Sequence, residues 1–159
     1  MRRILAHIEF RLAIPADAMT ISEMSRDLIE TGLGWSWTRR RVDHAIRNRD
    51  TLAVAAMQGS EMAGFGIMEF GDETAHLSLF AVRMELQRRG IGTAMFEWLK
   101  QSALTAGIGR IRLELRALNG QAEAFYRALG FAQTARVPGY YRGREHALRM
   151  ALDLRKSRR

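Results

Sequence analysis

Residues 9–14 set Phe10, Leu12 and Ile14 against polar neighbours, and this period of two predicts a short strand. Pro15 then changes the period. Ala18, Ile21, Met24, Leu28 and Ile29 fall on one face of a helix that opens at Pro15 and stops at Gly32 and Gly34. After a loop, Trp35-Ser36-Trp37-Thr38, Thr38 is placed to cap a second helix running to about Asn48. Residues 51–57 and 62–70 read as two strands joined by the turn Gln58-Gly59-Ser60, with Gly64 and Gly66 interrupting the second. The turn Gly71-Asp72-Glu73 leads into a strand over residues 75–82. Ile91, Ala94, Met95, Trp98 and Leu99 then predict a helix to about Ala106, ended by Gly107 and Gly109.

Residues 110–116 alternate strictly. Ile111, Leu113 and Leu115 share one face of the strand, and Arg110, Arg112, Glu114 and Arg116 share the other. Asn119 opens a helix with Ala122, Phe125, Tyr126 and Leu129 at helical spacing, and Gly130 caps it. A strand follows from Phe131 toward Arg136, then a predicted loop over residues 138–143, then a closing strand over residues 146–154. The order implies an α/β (mixed α+β) fold: a mixed sheet, rich in hairpins early on, with helices between its later strands. Neither an internal repeat nor a linker interrupts it. We read residues 1–154 as one domain and residues 155–159 as a basic tail.

The stretch Gln87-Arg88-Arg89-Gly90-Ile91-Gly92-Thr93 lies between the strand ending Phe80-Ala81-Val82 and the helix that follows. A helix N-terminus presents backbone N–H groups without intrahelical acceptors and carries partial positive charge. Glycine lets an anion approach that backbone closely, and the arginines add charge. This stretch is therefore a candidate phosphate-binding loop.

The chain has 159 residues, 47% hydrophobic and 26% charged, within the range of one globular domain. It contains no cysteine, which removes disulfides, thiolate ligands and cysteine nucleophiles, and its four scattered histidines suggest no metal site. No apolar run is long enough for a membrane span, and the N-terminus does not read as a signal peptide; the absence of cysteine suits a cytoplasmic location. The net charge of +8 is concentrated in part at Arg39-Arg40-Arg41 and in the tail. Nucleic acid is disfavoured as a partner because an aromatic-rich RNA-reading signature is missing.

The glycine loop, together with Asn119-Gly120-Gln121-Ala122-Glu123-Ala124-Phe125-Tyr126-Arg127-Ala128-Leu129-Gly130-Phe131, resembles the two cofactor motifs of the GNAT superfamily of N-acetyltransferases. The likeness is closest to ribosomal-protein-alanine N-acetyltransferase-like members, through the block from Leu113 to Tyr126. It implies a splayed central sheet and acetyl-CoA as donor. The pyrophosphate would lie at the amides of residues 89–93, with Gln87 and Arg88 in the same motif. The pantetheine arm would lie along Phe80, Ala81 and Val82 and be bonded by Asn119. A backbone N–H of that strand would meet the acetyl carbonyl.

The resemblance also marks Glu114 as candidate base and Tyr126 as candidate acid, in direct transfer to a primary amine within a ternary complex. Glu114 could instead pair with a neighbouring arginine, and Tyr126 could simply pack. Trp35, Trp37, Tyr140 and Tyr141 are candidate acceptor contacts, while His76 reads as structural. Met84 and Leu86 stand where many members carry a proline and an aromatic residue. The expected acceptor is a small amine or a protein N-terminus, with no metal and no membrane partner, and a homodimer is left open. The competing reading is a non-catalytic module that senses acetyl-CoA.

Overall fold

A computed structural model describes residues 7–155. The strands are β1 (Ile8–Leu12), β2 (Thr51–Gln58), β3 (Glu61–Phe70), β4 (Thr74–Val82), β5 (Arg110–Arg116), β6 (Ala132–Tyr141) and β7 (Glu145–Asp153). The helices are α1 (Ala18–Leu28), α2 (Arg39–Arg47), α3 (Ile91–Thr105) and α4 (Gly120–Ala128). The strands form one seven-stranded mixed sheet in the order β1-β2-β3-β4-β5-β7-β6. Residues 156–159 of the predicted tail, and residues 1–6 of the N-terminal reading, lie outside the described residues.

The chain divides into two compact units, and β4 contributes to both. The first contains residues 7–69 and Ser78–Ser102. Its core gathers Ile21 and Met24 of α1, Val42 and Ala45 of α2, Phe65 and Ile67 of β3, and Leu79 of β4. The glycines of β3 serve close approach. A Cβ on Gly64 would lie 2.7 Å from the carbonyl oxygen of Ala81, and one on Gly66 would lie 2.9 Å from Leu99 Cδ1. A side chain on Gly64 would have to displace the backbone of β4, whereas one on Gly66 would press on the tip of the Leu99 side chain.

The second unit contains Phe70–Leu77 and residues 103–155. Here β4 pairs in parallel with β5 through Thr74↔Arg110, Ala75↔Ile111 and His76↔Arg112. β5 pairs antiparallel with β7 along its whole length, and β7 with β6. Ile111, Leu113, Leu148, Met150 and Leu154 are buried, as the alternation of β5 and β7 predicts.

Two departures from expectation have a clear physical cause. The first strand ends at Leu12. Ile14 instead caps a 3-10 turn, Pro15–Asp17, its N–H donating to Asp17 Oδ2 at 2.8 Å while Arg11 holds the same carboxylate at 2.7 Å. The predicted loop over residues 138–143 is largely strand: β6 continues through Pro138 and Gly139 to Tyr141, with its register broken between Val137 and Tyr141. Proline is tolerated there because β6 is the edge of the sheet and the irregularity removes the need for a ladder donor.

Candidate active site

In the first unit, β4 ends at Val82, and a 3-10 turn, Met84–Leu86, carries the chain to the glycine loop. Gln87 closes the loop on the strand by donating from Nε2 to the carbonyl of Val82 at 2.9 Å. Arg83 ties the same corner to β3, its Nε donating to the Met62 carbonyl at 2.6 Å and its N–H to the Ala63 carbonyl at 2.9 Å. Arg88 (φ 63°) and Gly90 (φ 88°) both take left-handed backbone conformations. For arginine this is an uncommon conformation, and the two together fold the backbone into a concave turn. The Gly90 carbonyl accepts the Ala94 N–H at 3.0 Å, so Gly90 is the cap residue of α3. The amides of Ile91, Gly92 and Thr93 are then first-turn donors without intrahelical acceptors. Ile91 is buried, which anchors this turn, while Arg88 and Arg89 are exposed.

Along β4, Ala75, Leu77, Leu79 and Ala81 are buried on one face, and His76, Ser78 and Phe80 are half-buried on the other. Phe80, Ala81 and Val82 close β4, just before the 3-10 turn that carries the chain to the loop.

The second unit holds a cluster of charged groups at the end of the β4–β5 ladder. His76 Nε2 lies 2.5 Å from Glu114 Oε2. Arg149 Nε donates to Glu114 Oε1 at 3.2 Å, and Arg112 Nη1 donates to the same oxygen at 3.3 Å. The Glu114 side chain is only 6% exposed. The His76 hydrogen bond holds its carboxyl below the usual glutamate range, with Arg149 and Arg112 adding to the effect and burial opposing it. The linkage sign follows. The stabilisation that Glu114 brings is complete above its ordinary value of 4.5 and is lost as pH falls through the lower folded value. Urea denaturation of the parent and of Glu114→Gln should therefore differ at pH 6 and converge in acid. An equal gap at both pH values would disprove the assignment.

Tyr126 is buried on α4, edge-on to Phe125 and Phe131 with ring centroids 5.2 and 5.5 Å away. Burial pushes its phenol well above the ordinary tyrosine value, so it keeps its proton at neutral pH. Asn119 Oδ1 accepts the Ala122 N–H at 3.0 Å and caps α4. Tyr140 and Tyr141 stack edge-on at 4.9 Å at the end of β6, Tyr140 being exposed and Tyr141 half-buried. Burial, first of all, raises the phenols of both. Arg116 and Glu145 form an ion pair beside them. Among the described residues, no group of His, Cys, Asp or Glu could hold a metal ion. No helix there is long and apolar enough to cross a membrane.

The two tryptophans separate. Trp37 is 8% exposed and belongs to the core of the first unit, with the Arg41 guanidinium 3.8 Å above its ring. Trp35 is 39% exposed and is tethered by its indole N–H to the Ser22 carbonyl at 3.1 Å. The loop that carries both is organised by Glu30, a buried carboxylate that the periodicity did not single out. Glu30 accepts from Ser25 Oγ at 3.0 Å, the Ser36 N–H at 2.8 Å, the Ser36 hydroxyl, and the Trp37 N–H at 3.3 Å. Glu30→Ala would strand two backbone donors, each costing about 1–3 kcal/mol. Urea denaturation should show a loss of about 2–4 kcal/mol, with Glu30→Gln recovering part of it. A loss under about 0.5 kcal/mol would mean that water replaces the carboxylate.

Comparison with known proteins supplies independent findings. The family model "Acetyltransferase (GNAT) domain" matches residues 22–154. The [ribosomal protein bS18]-alanine N-acetyltransferase of Escherichia coli K12 is 37% identical over 100 residues, covering 61% of this chain and 68% of the relative. The crystal structure of the ribosomal-protein-S18-alanine N-acetyltransferase from Escherichia coli superposes with a TM-score of 0.77 at 27% identity, covering 92% of this chain and 94% of that one. Ard1 from Thermoplasma volcanium shares the fold with a TM-score of 0.82 at 23% identity, over 93% of this chain and 98% of that one.

Proposed function

This chain belongs to the GNAT family of acetyltransferases, and we propose that it moves acetyl from acetyl-CoA to the α-amine of a protein N-terminus by direct attack in a ternary complex. The observation that carries the donor half is the turn of Arg88 and Gly90, which aims the free amides of Ile91, Gly92 and Thr93 outward from the start of α3. These donors fit a pyrophosphate, and Arg88 and Arg89 add exposed positive charge. Acetyl-CoA supplies an acyl carbon activated as a thioester.

The protein's own residues then have distinct tasks. The backbone of Phe80, Ala81 and Val82 pairs with the pantetheine arm, and an N–H of this strand stabilises the negative charge that develops on the carbonyl oxygen. Asn119, its Oδ1 engaged in the cap of α4, keeps its amide NH2 as a candidate cofactor contact. The Glu114–His76 pair serves the proton-accepting end of the reaction, and Tyr126 donates toward the departing sulfur. Tyr140 and Tyr141 contact the acceptor. The family match runs through both units, in keeping with one acetyltransferase domain over residues 1–154.

The acceptor follows from charge and from the bS18-alanine relative. A chain of +8 attracts polycationic amines poorly. Glu69, Asp72 and Glu73 are exposed, and Glu73 already faces Arg155 at 3.5 Å. An N-terminus carries one positive charge and can be followed by neutral or acidic residues. A ribosomal-protein N-terminus as acceptor would place the enzyme's work in the cytoplasm. Incubation with acetyl-CoA and a panel of Ala-starting peptides, lysine-containing peptides with blocked N-termini, and small amines tests this. Mass spectrometry should find acetyl on the α-amine of the peptides, with kcat/KM at least about tenfold above any small amine, a gap of ~1.4 kcal/mol. Preferred turnover of a small amine would overturn the acceptor assignment. Tight acetyl-CoA binding without any turnover would overturn the enzymatic one.

A further inference from the structure

The face of the second unit that carries Glu114 holds more positive than negative charge. Arg149 stands opposite Glu114 in the β5–β7 register, and Arg112 lies two residues before it on the same face of β5. Arg149 Nε and Arg112 Nη1 both donate to one oxygen, Oε1, at 3.2 and 3.3 Å. Two guanidiniums therefore share a single carboxylate. Arg116, next along the same face, is already matched by Glu145. In the proposed reaction the acceptor brings an ammonium to Glu114, and the surplus positive charge around that carboxylate repels it.

The bonds of the two arginines also leave donors in reserve. A charge-assisted N–H···O bond is usually about 2.7–2.9 Å long. Arginines that fasten the fold make two-point contacts. Arg11 binds both oxygens of Asp17, at 2.7 and 3.0 Å, and Arg116 binds both oxygens of Glu145 through Nε and Nη2. Arg112 and Arg149 each give Glu114 one long bond out of five N–H donors. Their side chains are 44% and 39% exposed, against 6% for Glu114. Access and remaining donors thus lie with the arginines. Tyr140, an acceptor contact in the proposed reaction, belongs to the same cluster: after burial, Glu114 raises its phenol, and Arg149 and Arg112 lower it.

We propose that Arg112 and Arg149 bind an acidic side chain at the second or third residue of the acceptor, so that the enzyme selects protein N-termini followed closely by Asp or Glu. This deepens the N-terminal acetyltransferase reading and rests on it. The acceptor's carboxylate supplies the negative charge that this face lacks, which offsets the repulsion of the ammonium. Guanidiniums on two neighbouring strands can serve its two oxygens at once. Lysine or arginine at the same place would add a third positive charge and be rejected.

Ala-starting peptides that differ only in Glu, Gln or Lys at position two or three test this with the full chain. At the better of the two positions, kcat/KM for the Glu peptide should exceed that for the Gln peptide about tenfold and that for the Lys peptide about 100-fold. Arg112→Gln and Arg149→Gln should each bring the Glu-to-Gln ratio to about threefold or less, chiefly through KM. The ratio is read within each variant because both arginines also hold Glu114, and a change in proton transfer would slow both peptides alike. A ratio that stays at the parent's value in both variants would mean that the arginines serve Glu114 alone and would overturn the proposal. So would a parent that turns over the Gln or Lys peptide as well as the Glu peptide. Calorimetric titration of the same peptides onto the CoA-bound protein reads the preference without turnover. Kd should be about tenfold lower for the Glu peptide than for the Gln peptide, and equal Kd values would overturn the proposal. That Kd difference in a protein that acetylates no amine would uphold the carboxylate site and overturn the acetyltransferase reading instead.

Discussion

Gly92→Glu should abolish measurable acetyl-CoA binding, raising Kd at least about 100-fold, while leaving the protein folded. The two effects separate because of where Gly92 sits. It is in the first turn of α3, whose Gly90 cap is fixed by the Ala94 hydrogen bond at 3.0 Å. Replacing a helical glycine gains about 1 kcal/mol of helix propensity, and a carboxylate in the first turn gains about 0.3–1 kcal/mol more from the helix dipole. The thermal midpoint should therefore hold or rise. The same carboxylate would occupy the amides meant for pyrophosphate and repel its charge. Gly90→Val should also abolish binding, but with a lower midpoint, because a β-branched residue at φ 88° is strained. Calorimetric titration and thermal unfolding of both variants test the site. Gly92→Glu that still binds acetyl-CoA within about threefold of the parent would remove the loop from the donor site.

The legible parts of this molecule are those written in local periodicity. The strict alternation of residues 110–116 became β5 with Ile111, Leu113 and Leu115 buried, because a strand between two neighbours has one face to hide. Thr38 was readable as a cap, and its hydroxyl accepts the Arg41 N–H at 3.4 Å. The glycine loop was readable as a helix start, and the Gly90 carbonyl accepts the Ala94 N–H at 3.0 Å. The loop predicted over residues 138–143 failed for a physical reason: proline marks a loop only where a ladder donor is needed, and an edge strand does not need one.

What stayed hidden depends on contacts between distant residues. His76 and Glu114 are 38 positions apart and meet because two parallel strands share a register that neither strand encodes alone. The alternation did place Glu114 among arginines, but not beside Arg149, which comes from β7. Glu30 carries no periodic signature either, since its partners are the backbone and hydroxyls of a loop. Trp35 and Trp37 looked equivalent as candidate acceptor contacts. The loop anchored by Glu30 sends one ring into the core and leaves the other at the surface.

Tyr126→Phe should lower kcat about 10- to 100-fold with little change in acetyl-CoA affinity or stability. Phenylalanine keeps the ring that packs edge-on against Phe125 and Phe131, so the core of the second unit loses only a hydroxyl. The effect on rate comes from that hydroxyl. Because burial raises the phenol, the donor stays protonated throughout the neutral range and past the ordinary tyrosine value of 10.0. The parent's kcat should accordingly show no decline attributable to Tyr126 up to that pH, and Tyr126→Phe should lower the whole profile without changing its shape. Acyl donors with better leaving groups sharpen the test: a thioester whose thiolate needs no proton should react almost equally with the parent and with Tyr126→Phe. An equal loss with both donors would show that the hydroxyl holds structure and that another group serves the sulfur.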